Sequence, residues 1–185
     1  KTDAELEAAL DRGLGTFHVE SLGELEALAA LARRRGAVAR CAIRVNLPEK
    51  LAGARLRMGG GSSRFGVDAD LVPALVEAVA AAPSLALCGL HVYGGTQCFD
   101  ADAFVGQARA LAGHADRWEQ DLGARFDELD VGGGFGCAVF AGDPEFDLDG
   151  AARGLADVMR AHGRPGRRWL VELGRWLAAP AGVYL

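Results

Sequence analysis

The chain predicts an α/β domain, most of a parallel (β/α) barrel whose beginning is missing, and three features carry that reading. Helical and strand periodicities alternate along the whole length at spacings suited to right-handed crossovers, the pattern of a parallel sheet covered by helices. Polar residues collect where the strands end, at Glu20 and Ser21, Arg44 and Asn46, Tyr93 to Gln97, Gly132 to Gly136, and Glu172 to Arg175. In a barrel the chemistry gathers at those C-terminal strand ends. A doubly wound sheet would instead carry a dinucleotide loop after its first strand, but the glycines from Gly132 do not complete G-x-G-x-x-G because Cys137 holds the last position.

Thr2-Asp3-Ala4-Glu5 has the spacing of a capping box and predicts a helix over about 3–12, stopped at Gly13. A short strand follows at Thr16 to Glu20. Ser21 then caps a second helix, Leu25 to Arg35, which Gly36 ends, and Ala39 to Val45 is a β-rich run. A loop rich in glycine and serine spans Asn46 to Gly66. Beyond it the pattern predicts a helix near 69–82, a strand from Leu85 to Val92, a helix over 101–121 and a strand from Asp127 to Val131. A helix over 148–162 and a strand from Trp169 to Glu172 complete five of the eight strands that a barrel needs.

With 185 residues, 50% of them hydrophobic, the chain can bury a substantial core within one domain. A net charge of -5 and arginines scattered apart from Arg33-Arg34-Arg35 speak against nucleic acid as a partner. Cys41, Cys88, Cys98 and Cys137 lie in separate elements without C-x-x-C spacing, so neither a metal site nor a disulfide framework is expected, and a reduced, cytoplasmic protein fits best. No apolar run reaches the ~18 residues of a membrane span. Lys1 opens almost directly onto a helix and Val183-Tyr184-Leu185 reads as the start of a strand, so the chain is expected to be part of a larger polypeptide.

The run Leu129 to Gly136 breaks an apolar strand into glycines that leave successive backbone N–H groups bare, which suits a phosphate. A tight turn with no ligand explains three glycines as well. A second apolar run, ending in Glu172-Leu173-Gly174-Arg175, adds a carboxylate and a guanidinium to the same strand ends.

Four segments together resemble one family. Asp130 to Gly136, Glu172 to Arg175, Gly89-Leu90-His91-Val92-Tyr93-Gly94-Gly95-Thr96-Gln97 and Arg44-Val45-Asn46 are similar, in the same order, to the motifs of the pyridoxal-phosphate decarboxylases of the ornithine and diaminopimelate decarboxylase type. Those enzymes pair an alanine-racemase-like barrel with a C-terminal β domain. The likeness covers the chain and is greatest to a subgroup with a Met-Gly-Gly-Gly…Phe-Gly-Val-Asp loop, here Met58 to Gly61 and Phe65 to Asp68. That subgroup serves natural-product and polysaccharide pathways, and some members act on glutamate tethered to an acyl-carrier protein.

The resemblance implies roles. Gly132, Gly133 and Gly134 would offer N–H groups to the cofactor phosphate, with Thr96 and a charge-assisted contact from Arg175. Glu172 would face the pyridine nitrogen of pyridoxal 5'-phosphate and favour its protonated form; a carboxylate paired with Arg175 for structure alone is the plainer alternative. Tyr93 falls where relatives place a histidine that stacks on the ring, and His91 lies two residues earlier on the same face of the strand. Arg44 resembles an arginine near the cofactor. His18, His114 and His162 have no supporting neighbours in the sequence and read as structural or exposed.

The lysine that carries the cofactor in relatives would precede Lys1, and the β domain, which completes a neighbouring active site in a head-to-tail dimer, would lie beyond this chain. Residues 1–185 are therefore expected to be the cofactor-binding barrel of a decarboxylase acting on an amino acid, free or carrier-tethered, and inactive in isolation. An alanine-racemase-like enzyme and a non-catalytic binding protein of the same fold are the alternatives. Glu172 speaks against the racemase, which places an arginine at the ring nitrogen.

Overall fold

The structure, a computed structural model, describes residues 1–48, 54–57 and 65–182. In chain order the elements are α1 (Asp3–Asp11), β1 (Phe17–Val19), α2 (Leu22–Arg34), β2 (Ala39–Asn46), β3 (Ala54–Arg57), β4 (Val67–Asp68) and α3 (Val72–Ala80). They continue with β5 (Leu85–His91), β6 (Gly95–Cys98), α4 (Ala101–Leu122), β7 (Glu128–Gly133), α5 (Leu148–His162), β8 (Arg168–Glu172) and α6 (Gly174–Ala178). The Met58 to Gly61 motif, Lys50 and Val183 to Leu185 lie outside the described residues.

The helix starts follow from local hydrogen bonding. Thr2 and Glu5 form the reciprocal capping box, with Thr2 N–H donating to Glu5 Oε2 at 2.8 Å, and Ser21 Oγ accepts from Glu24 N–H at 3.1 Å. Asp100 and Asp147 cap α4 and α5 in the same way. Each helix then turns one stripe inward: Leu25, Leu28 and Ala32 on α2, Val72, Leu75, Val76 and Val79 on α3, and Phe104, Ala108, Leu111 and Ala115 on α4 are all buried. They cover strand residues that are equally dry, among them Ile43, Leu90, Leu129 and Val131. Each large side chain so buried contributes about 1.5–3 kcal/mol.

The main sheet runs β1-β2-β5-β7-β8, every neighbouring pair parallel, with β4 beside the end of β2. Spatial order follows chain order without a reversal, so the sheet is wound in one direction, as in a barrel, and not doubly wound. The five predicted barrel strands are all present. Four elements were not foreseen: β4 extends the pairing of β2, β3 and β6 form a small antiparallel pair, placing the Gly95-Thr96-Gln97 motif on a strand, and α6 starts directly after Leu173.

At the N-terminal ends of the strands a charge cluster fixes the sheet. Glu128 of β7 is buried and paired with Arg40 of β2 and Arg168 of β8. Burial raises the Glu128 carboxyl pKa, but the two guanidinium groups outweigh it and leave the group below its ordinary range. Beside it Gly89 of β5 lies against the Glu128 backbone, where a Cβ would sit 2.1 Å from the carbonyl oxygen.

Gly89→Ala should therefore lower stability by about 1–3 kcal/mol, since the neighbour is main chain in a paired strand. Gly106→Ala on α4, whose Cβ would meet nothing within 4 Å, should instead gain about 0.5–1 kcal/mol. Urea denaturation midpoints of the two variants, measured against the parent chain, check both signs.

Candidate functional site

The site forms where β5, β7 and β8 end. Asp130 lies opposite His91 in the β5–β7 register, and Gly133 lies opposite Glu172 in the β7–β8 register. Between Asp130 and Gly133 the register shifts, and this irregularity is where the glycines act.

The three glycines have different duties. Gly132 has a φ of +70°, and a Cβ there would lie 2.3 Å from the Val92 carbonyl oxygen; its N–H donates to Asp130 Oδ1 at 2.9 Å. Gly133 leaves no room for a side chain, as its Cβ would fall 1.8 Å from the Glu172 carbonyl oxygen. Gly134, with a φ of +83°, faces a cavity of about 310 Å³ that Tyr93, Thr96, Glu172, Gly174 and Arg175 also line. The expectation that all three offer free N–H groups to one anion thus needs correcting for Gly132, whose amide is already held by a buried carboxylate.

Two loops are tied together to shape this cavity. Gln97 is the one non-glycine residue among those described with a positive φ, +54°. Its side chain donates from Nε2 to the Cys137 carbonyl at 3.0 Å and accepts from the Cys137 N–H at 2.9 Å. Cys98 N–H donates to the Gly134 carbonyl and Gly136 N–H to the Cys98 carbonyl, so Thr96 and Gly134 are set against each other by main-chain bonds as well.

Behind the cavity four titratable side chains converge. His18, His91, Asp130 and Glu172 place one polar atom each within 4.8 Å of one another. The rings of His18 and His91 stack with centroids 4.6 Å apart and planes 22° from parallel. His91 is buried, and its Nε2 lies 3.6 Å from Glu172 Oε2, an ion-pair separation that leaves both ring nitrogens without a hydrogen bond. The imidazole of His91 holds the Glu172 carboxyl below the usual carboxylate range, while burial pushes the Asp130 carboxyl up. Burial pulls His18 down to about 4, helped by the neighbouring His91.

Arg44 stands at the rim. Its guanidinium pairs with Glu20 at 3.0 Å, lies 5.0 Å from the Phe65 ring centroid and 5.9 Å from that of Tyr93. Glu20 also accepts the Gly66 N–H at 3.0 Å, so this pair positions the segment that leads to β4.

The structure thus brings Tyr93, Thr96, Gly134, Glu172 and Arg175 to one cavity, sets Arg44 beside Tyr93, and places Gly132 and Gly133 in the wall behind. Glu172 is paired with His91 and not with Arg175, against the plainer structural alternative. Sequence reasoning missed Gly174, which lines the cavity, and His18, which joins the cluster. Nothing local in Phe17-His18-Val19 marks that histidine; only the pairing of β1 and β5 on either side of β2 brings it to His91.

A curved parallel sheet with an amide-rich turn, a guanidinium and a carboxylate around one cavity is a barrel suited to a phosphorylated ring. A buried histidine with unpartnered nitrogens and a glycine surface that no side chain could share fit such a group as well. Residues 1–179 match the model of the pyridoxal-dependent decarboxylases, pyridoxal binding domain, and the chain belongs to that family.

Among curated relatives, the L-glutamyl-[BtrI acyl-carrier protein] decarboxylase of Niallia circulans is 29% identical over all of this chain and 44% of its own length. The diaminopimelate decarboxylase of Actinosynnema pretiosum is 33% identical over the whole chain and 42% of the relative. Among solved structures, a mutant diaminopimelate decarboxylase from Helicobacter pylori complexed with L-lysine superposes with a TM-score of 0.82 at 25% identity, covering 93% of this chain and 43% of that one. The chain spans less than half the length of the relatives it matches. No helix among the described residues is long and apolar enough to cross a membrane.

The His18 environment has a pH signature. An unfolded chain takes up a proton at His18 near its ordinary 6.5, whereas the folded chain does so only near 4. Between those values the unfolded state binds more protons, so stability rises with pH through the window and falls on acidification. His18→Gln should flatten that part of the curve, as read by urea denaturation at about pH 7 and about pH 5.

Proposed function

We propose that this chain is the pyridoxal-phosphate-binding barrel of an amino-acid decarboxylase whose substrate is an α-amino acid, free or tethered to a carrier protein. The observation that carries the proposal is the sharing of one cavity by Glu172 with Thr96, Gly134 and Arg175. The parent is read as a cytoplasmic head-to-tail homodimer with a further β domain, on the strength of the family likeness and of the shorter span of this chain.

The cofactor, when bound, supplies a sink for the electron pair left when the α-carboxylate departs as CO2. Thr96, Gly134 and Arg175 hold the phosphate, the guanidinium adding a charge-assisted contact and the glycine an unobstructed approach. Tyr93 supports the ring face, and Gly132 and Gly133 set the wall by letting backbone meet backbone. Glu172 keeps a proton on the ring nitrogen, because an anion beside that nitrogen favours its charged form. His91 keeps Glu172 anionic for this task. Arg44, held by Glu20, presents positive charge beside Tyr93, where an anionic substrate group would enter.

The choice of a carboxylate for the ring nitrogen favours decarboxylation over racemisation, since a fully protonated ring is the stronger sink. The likeness to an enzyme named for carrier-bound glutamate supports testing a tethered substrate beside free amino acids.

The full-length parent should take up pyridoxal phosphate and release CO2 from one of these amino acids. Glu172→Gln should lower kcat on the order of 100-fold, the cost of losing a preorganised charge, with the cofactor still bound. Arg175→Ala should weaken cofactor affinity about 10- to 100-fold, the equivalent of one hydrogen bond to a charged group. A parent that binds no cofactor and releases no CO2 from free or tethered amino acids would overturn the proposal.

A further inference from the structure

Glu172 does not stand alone. It closes a cluster of four polar groups, and one of them, His18 of β1, comes from outside the four sequence motifs. His91 is the central member: 5% exposed, directly opposite Asp130 in the strand register, stacked on His18 and aimed with Nε2 at Glu172 Oε2. Its ring cannot swing freely, because the parallel His18 ring lies against one face at 4.6 Å. Asp130 is fixed too, 4% exposed and anchored by the Gly132 N–H.

We infer that His91, steadied by His18 and Asp130, is a positioning residue that sets the orientation and charge of the Glu172 carboxylate. The inference rests on the reading of Glu172 as the partner of the ring nitrogen. Nε2, 3.6 Å from Glu172 Oε2, is the ring nitrogen placed to act on that carboxylate, and it can offer a proton there only as the Nε2–H tautomer or the imidazolium. The other groups that act on the pair are Asp130 from β7, a second acid that interacts with both, Arg44 from β2, which reinforces the Glu172 anion, and His18 from β1, which also favours it and is itself under the influence of Lys1 and Glu128. The donor types of the four side chains would also suit a divalent metal, but one Asp130 oxygen is already engaged by Gly132 and Glu172 is already paired with His91.

The role differs from plain packing in what it moves. If His91 only filled space, a polar substitute would change stability and leave the ring nitrogen of the bound cofactor as it was. If it sets the charge on Glu172, its loss weakens the anion and the ring nitrogen gives up its proton at lower pH.

The test uses the full-length parent loaded with pyridoxal phosphate labelled with 15N in the ring, following the nitrogen shift against pH. His91→Gln should lower the midpoint by about one pH unit, a tenfold change in proton affinity, and Glu172→Gln should lower it further. The double variant should match Glu172→Gln alone, since His91 acts only through that carboxylate. A His91→Gln midpoint equal to the wild type, with Glu172→Gln displaced, would overturn the inference and spare the assignment of Glu172. Midpoints unchanged in both variants would overturn the two together. If His91→Gln does not fold, proton NMR of the wild type decides the matter, where a slowly exchanging His91 imidazole N–H is expected. Its loss in Glu172→Gln supports the inference, and its persistence there opposes it.

Discussion

The site depends on how closely β7 and β8 approach at their C-terminal ends. At Gly133 the two backbones meet with room for no side-chain carbon, and Glu172 is the residue on the other side of that contact. Any other residue at position 133 would push β8 away and carry Glu172 off the wall it shares with Gly134 and Thr96. The contact converts a local sequence property, the lack of a Cβ, into a long-range alignment of a carboxylate with a loop. The register shift between Asp130 and Gly133 serves the same end, freeing the Gly132 amide to bind Asp130 and fixing that acid beneath the histidine.

Charge is distributed between the two ends of the strands with opposite consequences. At the N-terminal ends of the strands Glu128 meets two arginines, and the cluster is a clamp between β2, β7 and β8. At the C-terminal ends two acids meet two histidines with Arg44 nearby, and no guanidinium bonds directly to Glu172 or Asp130 among the described residues. In the first, two guanidinium groups hold Glu128 below its ordinary range; in the second, burial pushes Asp130 up while His91 holds Glu172 down. This division is what barrel enzymes require, with stability at one rim and chemistry at the other.

Much of the fold was legible because local signals agreed with the final packing. The caps at Thr2 and Ser21, the apolar stripes of α2, α3 and α4, and the five barrel strands all follow from spacing that tertiary structure did not overrule. The β3–β6 pair escaped notice because Gly95-Thr96-Gln97-Cys98 has no two-residue alternation and its partner lies within a glycine-rich stretch. α6 is short and opens on a glycine, the poorest helix former after proline. At the site, the motifs named Glu172, Thr96 and Arg175, whose types announce their chemistry. His18 and the engagement of the Gly132 amide were invisible, because both depend on which strands become neighbours, a property no short window contains.

Gln97 is held in a left-handed conformation that costs about 1–3 kcal/mol, and two hydrogen bonds to one residue of the opposite loop keep it there. The two walls of the cavity are consequently inherited as a single rigid block. Moving either segment by itself would break both side-chain bonds, so the shape of the cavity is set by the two together.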